Sequence, residues 1–412
     1  VREGLPRHGI TRIFKTISPH VHWPINLGVG LGRPPQRFTI REILKCRICE
    51  IGFVFLFCGC ALDSGWVLVG FPTRAPSSMA KNARGTAPYF TEYVRRLLEK
   101  EDEVLDINIY RDGLKIYTTL DSRLQTLAEE VVLDAIKKSQ SKLNNRIINN
   151  QEEFELLGHL TIYDEDSVKM MMQGEAQLYK DLRAKLLVQT AFVAIDPKTG
   201  GIMAMIGGRP DYHDQYNRSV QAKRQPGSVF KPFVYTTALE NGYTVSQQLL
   251  NQPVVLNVQN TDGSWVKWKP QNYGGSTGGL TTLREGLRKS LNLISVRIVQ
   301  QDYAPAEQVK RTAQRMGIST DIRAVDAIAL GTSEVIPLEM VSAYAAYANK
   351  GVYSKPFAIT KIEDRYGNTI REYAPAQYEV LSEEIAFLMT NLMQTVMAVS
   401  YTHLTLPTKR IV

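Results

Sequence analysis

The 412-residue sequence predicts an α/β fold of the α+β kind, because it combines amphipathic helices with a strand and a β-hairpin. Residues 88–105 and 122–143 carry apolar side chains at three- and four-residue spacing, which is the period of an amphipathic helix. Residues 114–117 follow a strand-like pattern. The apolar runs 190–196 and 201–208 are joined by a short Pro- and Gly-containing turn, which predicts a β-hairpin.

Composition restricts the classes of protein to which the chain can belong. Hydrophobic residues make up 44% and charged residues 22% of the sequence, as in globular proteins with room for two or three domains. The net charge of +8 suits either an anionic surface, such as lipid or cell-wall polymer, or simply a solvated basic exterior. No run of Lys and Arg and no stacking-aromatic motif favours nucleic acid, so we expect no nucleic-acid partner.

The four cysteines, at positions 46, 49, 58 and 60, all lie near the start of the chain. Their spacing resembles a zinc site, but two of them lie in the apolar run 51–62, which offers no loop to present ligands. We therefore expect no metal and no cofactor. The apolar run is shorter than the ~20 residues that span a bilayer. The cysteine-free remainder suits an extracytoplasmic compartment.

Among the serines followed by a lysine three positions later are Ser78, Ser228 and Ser264. Ser78 lies in a proline-flanked linker. Ser264 lies in a predicted strand or loop, and on a strand its lysine would point to the opposite face. Ser228 instead follows a Pro-Gly turn and opens a helix, because Pro232 is tolerated only in a first helical turn. Lys231 is then expected one turn after Ser228 on the same helix face.

The spacing of Ser228 and Lys231 has a chemical meaning, because a serine hydroxyl needs a nearby base to become a nucleophile. Lys231 suits that role if burial among aromatic side chains and the positive end of the helix dipole lower its pKa. The alternative is an ordinary N-cap serine followed by an exposed lysine. On this motif alone, both interpretations stay open.

A second motif, Ser290-Leu291-Asn292, follows a short helix that begins at a predicted capping box, Thr282-x-x-Glu285. A hydroxyl and an amide two residues apart on a tight loop are able to face one cleft. Ordinary helix capping by Ser290 and Asn292 is the alternative explanation.

Four segments together resemble a known family: "FVAIDPKTGGIMAMIGG", "NRSVQAKRQPGSVFKPFVY", "LREGLRKSLNLISVRI" and "ALGTSEVIPLEMVSAYAAYANKG". They are similar to the transpeptidase domain of class A, bifunctional penicillin-binding proteins. "APYFTEYVRRLLE" and "DGLKIYTTLDSRLQ" resemble the linker before that domain. The resemblance runs from Arg74 to Met397. It implies a mostly antiparallel sheet flanked by helices, as in serine β-lactamases and D,D-transpeptidases.

The resemblance also implies a reaction. Ser228 would attack the penultimate D-alanine carbonyl of a peptidoglycan stem peptide, and Lys231 would accept its proton. Ser290 would pass a proton to the leaving D-alanine, and Asn292 would hold the substrate amide. A second stem-peptide amine would resolve the acyl-enzyme, whereas a β-lactam would leave the serine acylated.

The partners implied by the resemblance are peptidoglycan stem peptides, β-lactams and the cell-wall synthesis machinery. A glycosyltransferase domain is expected in the full-length parent. The location implied is the extracytoplasmic face of the bacterial membrane.

Both ends of the chain depart from the family pattern. We expect residues 1–73 to be translated out of frame or joined from elsewhere, which reading the upstream DNA in its other two frames would test. We assign residues 74–187 to the linker and residues 188–398 to a partial transpeptidase domain. We expect residues 399–412 to be an artefactual tail.

In the family, the catalytic Lys-Thr-Gly lies downstream of Ser-x-Asn. The Lys-Thr-Gly of this sequence, at 198–200, precedes Ser228 and follows Asp196-Pro197, which is ordinary turn chemistry. We therefore expect central strands to be missing, apolar helix faces to be exposed, and this chain to be poorly soluble and nearly inactive.

Two alternatives to a transpeptidase stay open. A D,D-carboxypeptidase or β-lactamase would use water as the acceptor, although the linker at 87–125 argues against it. A non-catalytic β-lactam-binding or scaffold module would lack the third motif by design.

Overall fold

The computed structural model describes residues 23–24, 37–38, 67–69, 87–101, 105–150, 152, 154–155, 164–173, 186–209, 215–259 and 264–402. The four cysteines, Ser78, the run 51–62 and residues 403–412 lie outside this set. Residues 1–46 form one compact unit and residues 47–412 a second. In the described part of the chain, no helix is both long and apolar enough to cross a membrane.

Helices and strands alternate irregularly along the chain. The helices are α1 (Pro88–Leu98), α2 (Ser122–Asn149), α3 (Glu165–Gln173), α4 (Arg218–Gln221), α5 (Lys231–Glu240), α6 (Leu283–Arg288), α7 (Asn292–Gln300), α8 (Ala306–Arg315), α9 (Pro337–Ala348) and α10 (Glu383–Thr402). The strands are β1 (Trp23–Pro24), β2 (Arg37–Phe38), β3 (Val67–Val69), β4 (Lys115–Thr118), β5 (Phe192–Ile195), β6 (Ile202–Ile206), β7 (Gln248–Leu250), β8 (Leu256–Gln259), β9 (Trp265–Trp268), β10 (Leu280–Thr282), β11 (Val352–Ser354), β12 (Ile359–Glu363), β13 (Thr369–Glu372) and β14 (Gln377–Glu379). Short 3₁₀ turns occupy Gly227–Phe230, Tyr273–Gly275 and Asp326–Leu330.

The strands pair antiparallel, which confirms the predicted mixed fold of antiparallel sheets flanked by helices. Among the described residues, the strands form small separate sheets. The largest has the order β13-β12-β4-β3, and the predicted hairpin β5-β6 is a two-stranded sheet. Strand β3 lies within the segment 1–73 and pairs with β4.

The elements between residues 87 and 150 begin and end for local reasons. Helix α1 buries one face, with Phe90, Val94 and Leu98 fully enclosed, and ends at Leu98 rather than at the predicted residue 105. Helix α2 begins at Ser122 because the Asp121 carboxylate accepts hydrogen bonds from two N–H groups of its first turn.

Helix α2 and the residue before it also bond to the backbone of β6. The Gln125 side chain on α2 is 1% exposed, accepts a hydrogen bond from Met205 N–H at 2.9 Å and donates one to Met205 O at 3.2 Å. The Asp121 N–H donates to Met203 O at 2.9 Å. A side-chain amide and a loop therefore satisfy backbone groups that would otherwise be buried without partners.

The main core lies in the second half of the chain. Helix α5 packs against α7, α8 and α10, and its buried face includes Phe233, Val234 and Tyr235, all 0% exposed. Phe233 contacts Tyr344 of α9 edge to face, with ring centroids 6.2 Å apart. Helix α5 is therefore enclosed on several sides, and its first residue, Lys231, lies inside the core.

A tight joint connects α1 to the end of β6. A Cβ added to Gly207 would lie 2.3 Å from Asn217 Oδ1 and 2.7 Å from Tyr89 Cδ1. The Asn217 amide donates to Tyr89 O at 3.3 Å, and its oxygen accepts from Ser219 N–H at 3.1 Å. Because Asn217 comes directly before α4, in the segment that leads to Ser228, this joint fixes α1 against that segment.

We predict that Gly207→Ala destabilises the chain by about 1–3 kcal/mol, because the added methyl group overpacks the joint. Gly279→Ala is the matched control, since a Cβ there meets nothing within 4 Å. Thermal melting followed by circular dichroism measures both variants. Equal melting temperatures for the two variants would contradict the tight packing.

Candidate active site

Ser228 lies in the 3₁₀ turn Gly227–Phe230 that leads directly into α5. Its side chain is exposed, and its carbonyl oxygen accepts the Lys231 N–H. The predicted helix start is thus confirmed, with a 3₁₀ turn in place of the first α-helical residues. Within the described residues, Ser228 Oγ makes no hydrogen bond, so the hydroxyl is open to solvent or substrate.

The shape of this turn depends on two glycines. Gly227 has a φ of +57° and donates its N–H to Gly331 O at 3.2 Å. Gly331 has a φ of +66°, and a Cβ at this position would lie 2.3 Å from Gly227 O. A side chain at position 331 would therefore displace the turn that presents Ser228.

Lys231 is fully buried at the first position of α5. Its Nζ lies 2.6 Å from Ser290 O, 3.0 Å from Ser290 Oγ and 2.8 Å from Asn292 Oδ1. These three oxygens match the three N–H donors of an ammonium group. The interpretation of Lys231 as an exposed lysine is wrong, because the helices of the core enclose it.

Burial lowers the pKa of Lys231 to about 7, since the enclosed site disfavours the charged form. An ordinary lysine has roughly one molecule in three thousand neutral at pH 7, whereas a pKa of about 7 leaves about half of them neutral. Lys231 is therefore able to accept a proton near neutral pH.

Ser290 joins α6 to α7 in a left-handed conformation, with a φ of +52°. This conformation is uncommon for a residue other than glycine and is often found at functional sites. Two backbone hydrogen bonds fix this turn: Ser290 N–H donates to Leu287 O at 2.9 Å, and Leu291 N–H donates to Gly286 O at 2.8 Å. The hydroxyl and the carbonyl of Ser290 thereby both reach Lys231.

Helix α6 begins as predicted, because Thr282 Oγ1 accepts the Glu285 N–H at 3.2 Å. The Glu285 carboxylate pairs with Arg288 and Lys289 on the same helix. The threonine half of the predicted capping box is therefore confirmed.

Asn292 opens α7 and uses both ends of its side-chain amide. Its oxygen accepts from Lys231 Nζ, and its nitrogen donates to Gln271 O at 2.8 Å. The structure thus brings Lys231, Ser290 and Asn292 together, with Ser228 one turn away on the same helical segment.

Two other motifs from the sequence belong to β-strands and turns rather than to this group of side chains. Ser264 precedes strand β9, which contains Lys267. Lys198-Thr199-Gly200 forms the turn of the β5-β6 hairpin, where the Asp196 carboxylate accepts from Lys198 N–H and Thr199 Oγ1 at 2.9 and 2.8 Å. Its glycine has a φ of +82°, as a turn requires. The Lys198 N–H, the Thr199 hydroxyl and the backbone conformation of Gly200 therefore all serve to form the turn.

Sequence reasoning did not single out Gly331 or Asn272. Gly331 supports the Ser228 turn from a distant part of the chain, and Asn272 accepts the Leu293 N–H of α7 at 3.0 Å. The sequence contains a signal for Gly331, since it follows the 3₁₀ turn Asp326–Leu330 as a glycine C-cap.

The chain is similar in sequence to known proteins. Residues 190–409, which are 220 of the 412 residues, match the penicillin binding protein transpeptidase domain. Penicillin-binding protein 2D of Bacillus subtilis is 29% identical over 74% of this chain and 37% of its own length. Penicillin-binding protein 1A of Neisseria meningitidis is 37% identical over 52% of this chain and 27% of its own length.

Among solved structures, penicillin-binding protein 1A from Haemophilus influenzae has a similar fold. Its TM-score is 0.58 at 24% identity, covering 75% of this chain and 58% of that one. The chain spans roughly a third of the length of the curated relatives above. The matched domain covers more than half of the chain. The chain therefore belongs to the penicillin-binding protein transpeptidase family.

Proposed function

We propose that this chain carries a serine D,D-transpeptidase centre, in which Ser228 forms an acyl-enzyme with the D-Ala-D-Ala end of a peptidoglycan stem peptide. The observation that carries the proposal is the environment of Lys231. A buried lysine with a pKa of about 7 contacts Ser290 and Asn292 and lies one turn from an exposed serine. Activation of a serine nucleophile needs a base within hydrogen-bond reach, and the one-turn spacing lets the Ser228 hydroxyl approach Lys231 Nζ.

Proton transfer follows from the donors and acceptors around Lys231. A neutral amine has two N–H groups and one lone pair. The two N–H groups match Ser290 O and Asn292 Oδ1, at 2.6 and 2.8 Å. The lone pair is then available to a hydroxyl proton. It takes the Ser228 proton as the carbonyl is attacked, and the Ser290 hydroxyl, 3.0 Å away, relays a proton to the leaving D-alanine.

The tetrahedral intermediate needs donors for its oxyanion. The Ser228 N–H lies in the first turn of a helical segment, where N–H groups have no intrahelical partner. We propose this N–H as one donor. The substrate amide would bind at the exposed side of Asn292.

The donor substrate is a stem peptide, the acceptor is the amine of a second stem peptide, and β-lactams compete with the donor. For the whole protein we propose a glycosyltransferase domain before the linker and a place in the cell-wall synthesis machinery, at the extracytoplasmic face of the bacterial membrane. A D,D-carboxypeptidase or β-lactamase would share the acyl-enzyme and would differ in using water to resolve it.

We predict that penicillin acylates Ser228 and no other residue. The purified chain is incubated with penicillin, and the adduct is located by peptide mass spectrometry. Ser228→Ala should remove the adduct. Ser264→Ala is the matched control, because Ser264 also precedes a lysine by three positions but adjoins strand β9. It should leave the adduct unchanged.

An adduct that persists in Ser228→Ala, or an adduct found on another residue of the unaltered chain, would show that the nucleophile is wrongly assigned. The low activity expected from the sequence stays a prediction. The labelled fraction in the same assay measures it, and rapid, complete labelling would contradict it.

We predict that the rate of acylation rises about tenfold per pH unit below pH 7 and levels off above it. The base must be neutral, and the pKa of Lys231 is lowered to about 7, so protonation removes the base as the pH falls. The second-order rate constant for penicillin between pH 5 and 9 measures this profile. Lys231→Arg should abolish acylation at every pH, because a guanidinium stays charged. A flat profile for the unaltered chain would exclude Lys231 as the base.

A further inference from the structure

We propose that Asn272 is a positioning residue that holds the Asn292 side chain in the orientation that places its oxygen on Lys231. The proposal rests on the proposed function for its importance, since Lys231 is the base there. The contacts that carry it are independent of any reaction.

Asn272 is buried within an exposed loop. Of residues 271–277, it alone is buried, at 5% exposed, while Tyr273 beside it is fully exposed. Gly274 and Gly275 follow with φ values of 71° and 69°, and a Cβ at either would meet nothing within 4 Å. The packing of this loop therefore depends on one inward side chain.

The Asn272 amide makes hydrogen bonds in three directions. Its nitrogen donates to Asn251 Oδ1 at 2.8 Å and to Ser276 O at 2.6 Å. Its oxygen accepts the Leu293 N–H at 3.0 Å. A buried amide with all three partners satisfied rigidifies its surroundings, whereas losing it would leave Leu293 N–H and Asn251 Oδ1 unpaired.

These bonds fix two elements relative to each other. Leu293 is the second residue of α7, so Asn272 caps that helix from a distant part of the chain. Helix α7 lacks a capping side chain at its own N-cap residue, Leu291. Asn272 thus ties the loop to the helix turn that begins with Asn292.

The carbonyl of Gln271 links the position of Asn272 to the side chain of Asn292. Gln271 O, one residue before Asn272, accepts the Asn292 amide at 2.8 Å. This bond decides which end of Asn292 faces Lys231, because the donor end is already used. The oxygen end consequently lies 2.8 Å from Lys231 Nζ. If the loop moved, the amide would be free to rotate and water would reach Lys231.

The test uses the full chain labelled with ¹³C at lysine Cε, titrated by NMR, with the Lys231 signal assigned by Lys231→Met. Asn272→Ala should raise the Lys231 pKa by about one pH unit, because water entering the site relieves the desolvation that lowers it. Asn251→Ala removes the far anchor of the Asn272 amide. It should raise the pKa by less, and it supplies a second variant if Asn272→Ala fails to fold.

A double-mutant cycle separates positioning from general loosening. If Asn272 acts through Asn292, the double variant Asn272→Ala/Asn292→Ala should have the same Lys231 pKa as Asn292→Ala alone. Asn241→Ala is the matched control. Its amide bonds Tyr303 O and Gln308 Oε1 at 3.0 and 2.8 Å at the other end of α5, and its loss should leave the Lys231 pKa unchanged.

An unchanged or lowered Lys231 pKa in folded Asn272→Ala overturns the proposal, and so do additive effects in the double variant. The titration requires no acyl donor. It therefore distinguishes a wrong positioning role from a wrong reaction, which the penicillin adduct at Ser228 tests separately.

Discussion

The site depends on the burial of one lysine. An isolated ammonium group is costly in a low-dielectric interior, so a buried lysine tends to lose its proton. Lys231 is fully enclosed, and its pKa falls to about 7. Three oxygens from Ser290 and Asn292 surround Nζ and keep it in place in either protonation state. Much of the surrounding architecture serves to hold those oxygens.

Left-handed backbone conformations, which most residues with side chains disfavour, help to position Ser290 and the Ser228 turn. Ser290 adopts a left-handed φ of +52°, which costs of order 1 kcal/mol or more for a residue with a side chain. Because Gly331 has no side chain, the backbone of the Ser228 turn packs directly against it. Because α5, α7 and α9 pack into one core, this local cost is offset by the burial of many apolar side chains.

Features that depend on residues close in sequence could be predicted. The spacing of Ser228 and Lys231 on a helix start, the α1 and α2 helices and the β5-β6 hairpin all follow local periodicity and turn chemistry. The assignment of Lys198-Thr199-Gly200 to a turn followed from Asp196-Pro197 in the same way, and the bonds to Asp196 agree.

Features that depend on distant pairs could not be predicted. The Asn272 contact with Leu293 spans 21 residues of chain, and that with Asn251 spans another 21. The approach of Gly331 to Gly227 and the division of strands into small sheets are likewise decided by tertiary packing. Local propensity carries no information about which distant segments meet. The sequence therefore does not show which residues Asn272 and Gly331 contact.

The most direct measurement of the central claim is the equilibrium titration of Lys231 in the unaltered chain. ¹⁵N NMR of the lysine side chains, with Lys231 assigned by substitution, gives its pKa without any substrate. A midpoint near pH 7 would show that burial supplies a neutral base at physiological pH. A midpoint near the ordinary lysine value of 10.5 would show that the site does not desolvate Lys231, and would contradict the account.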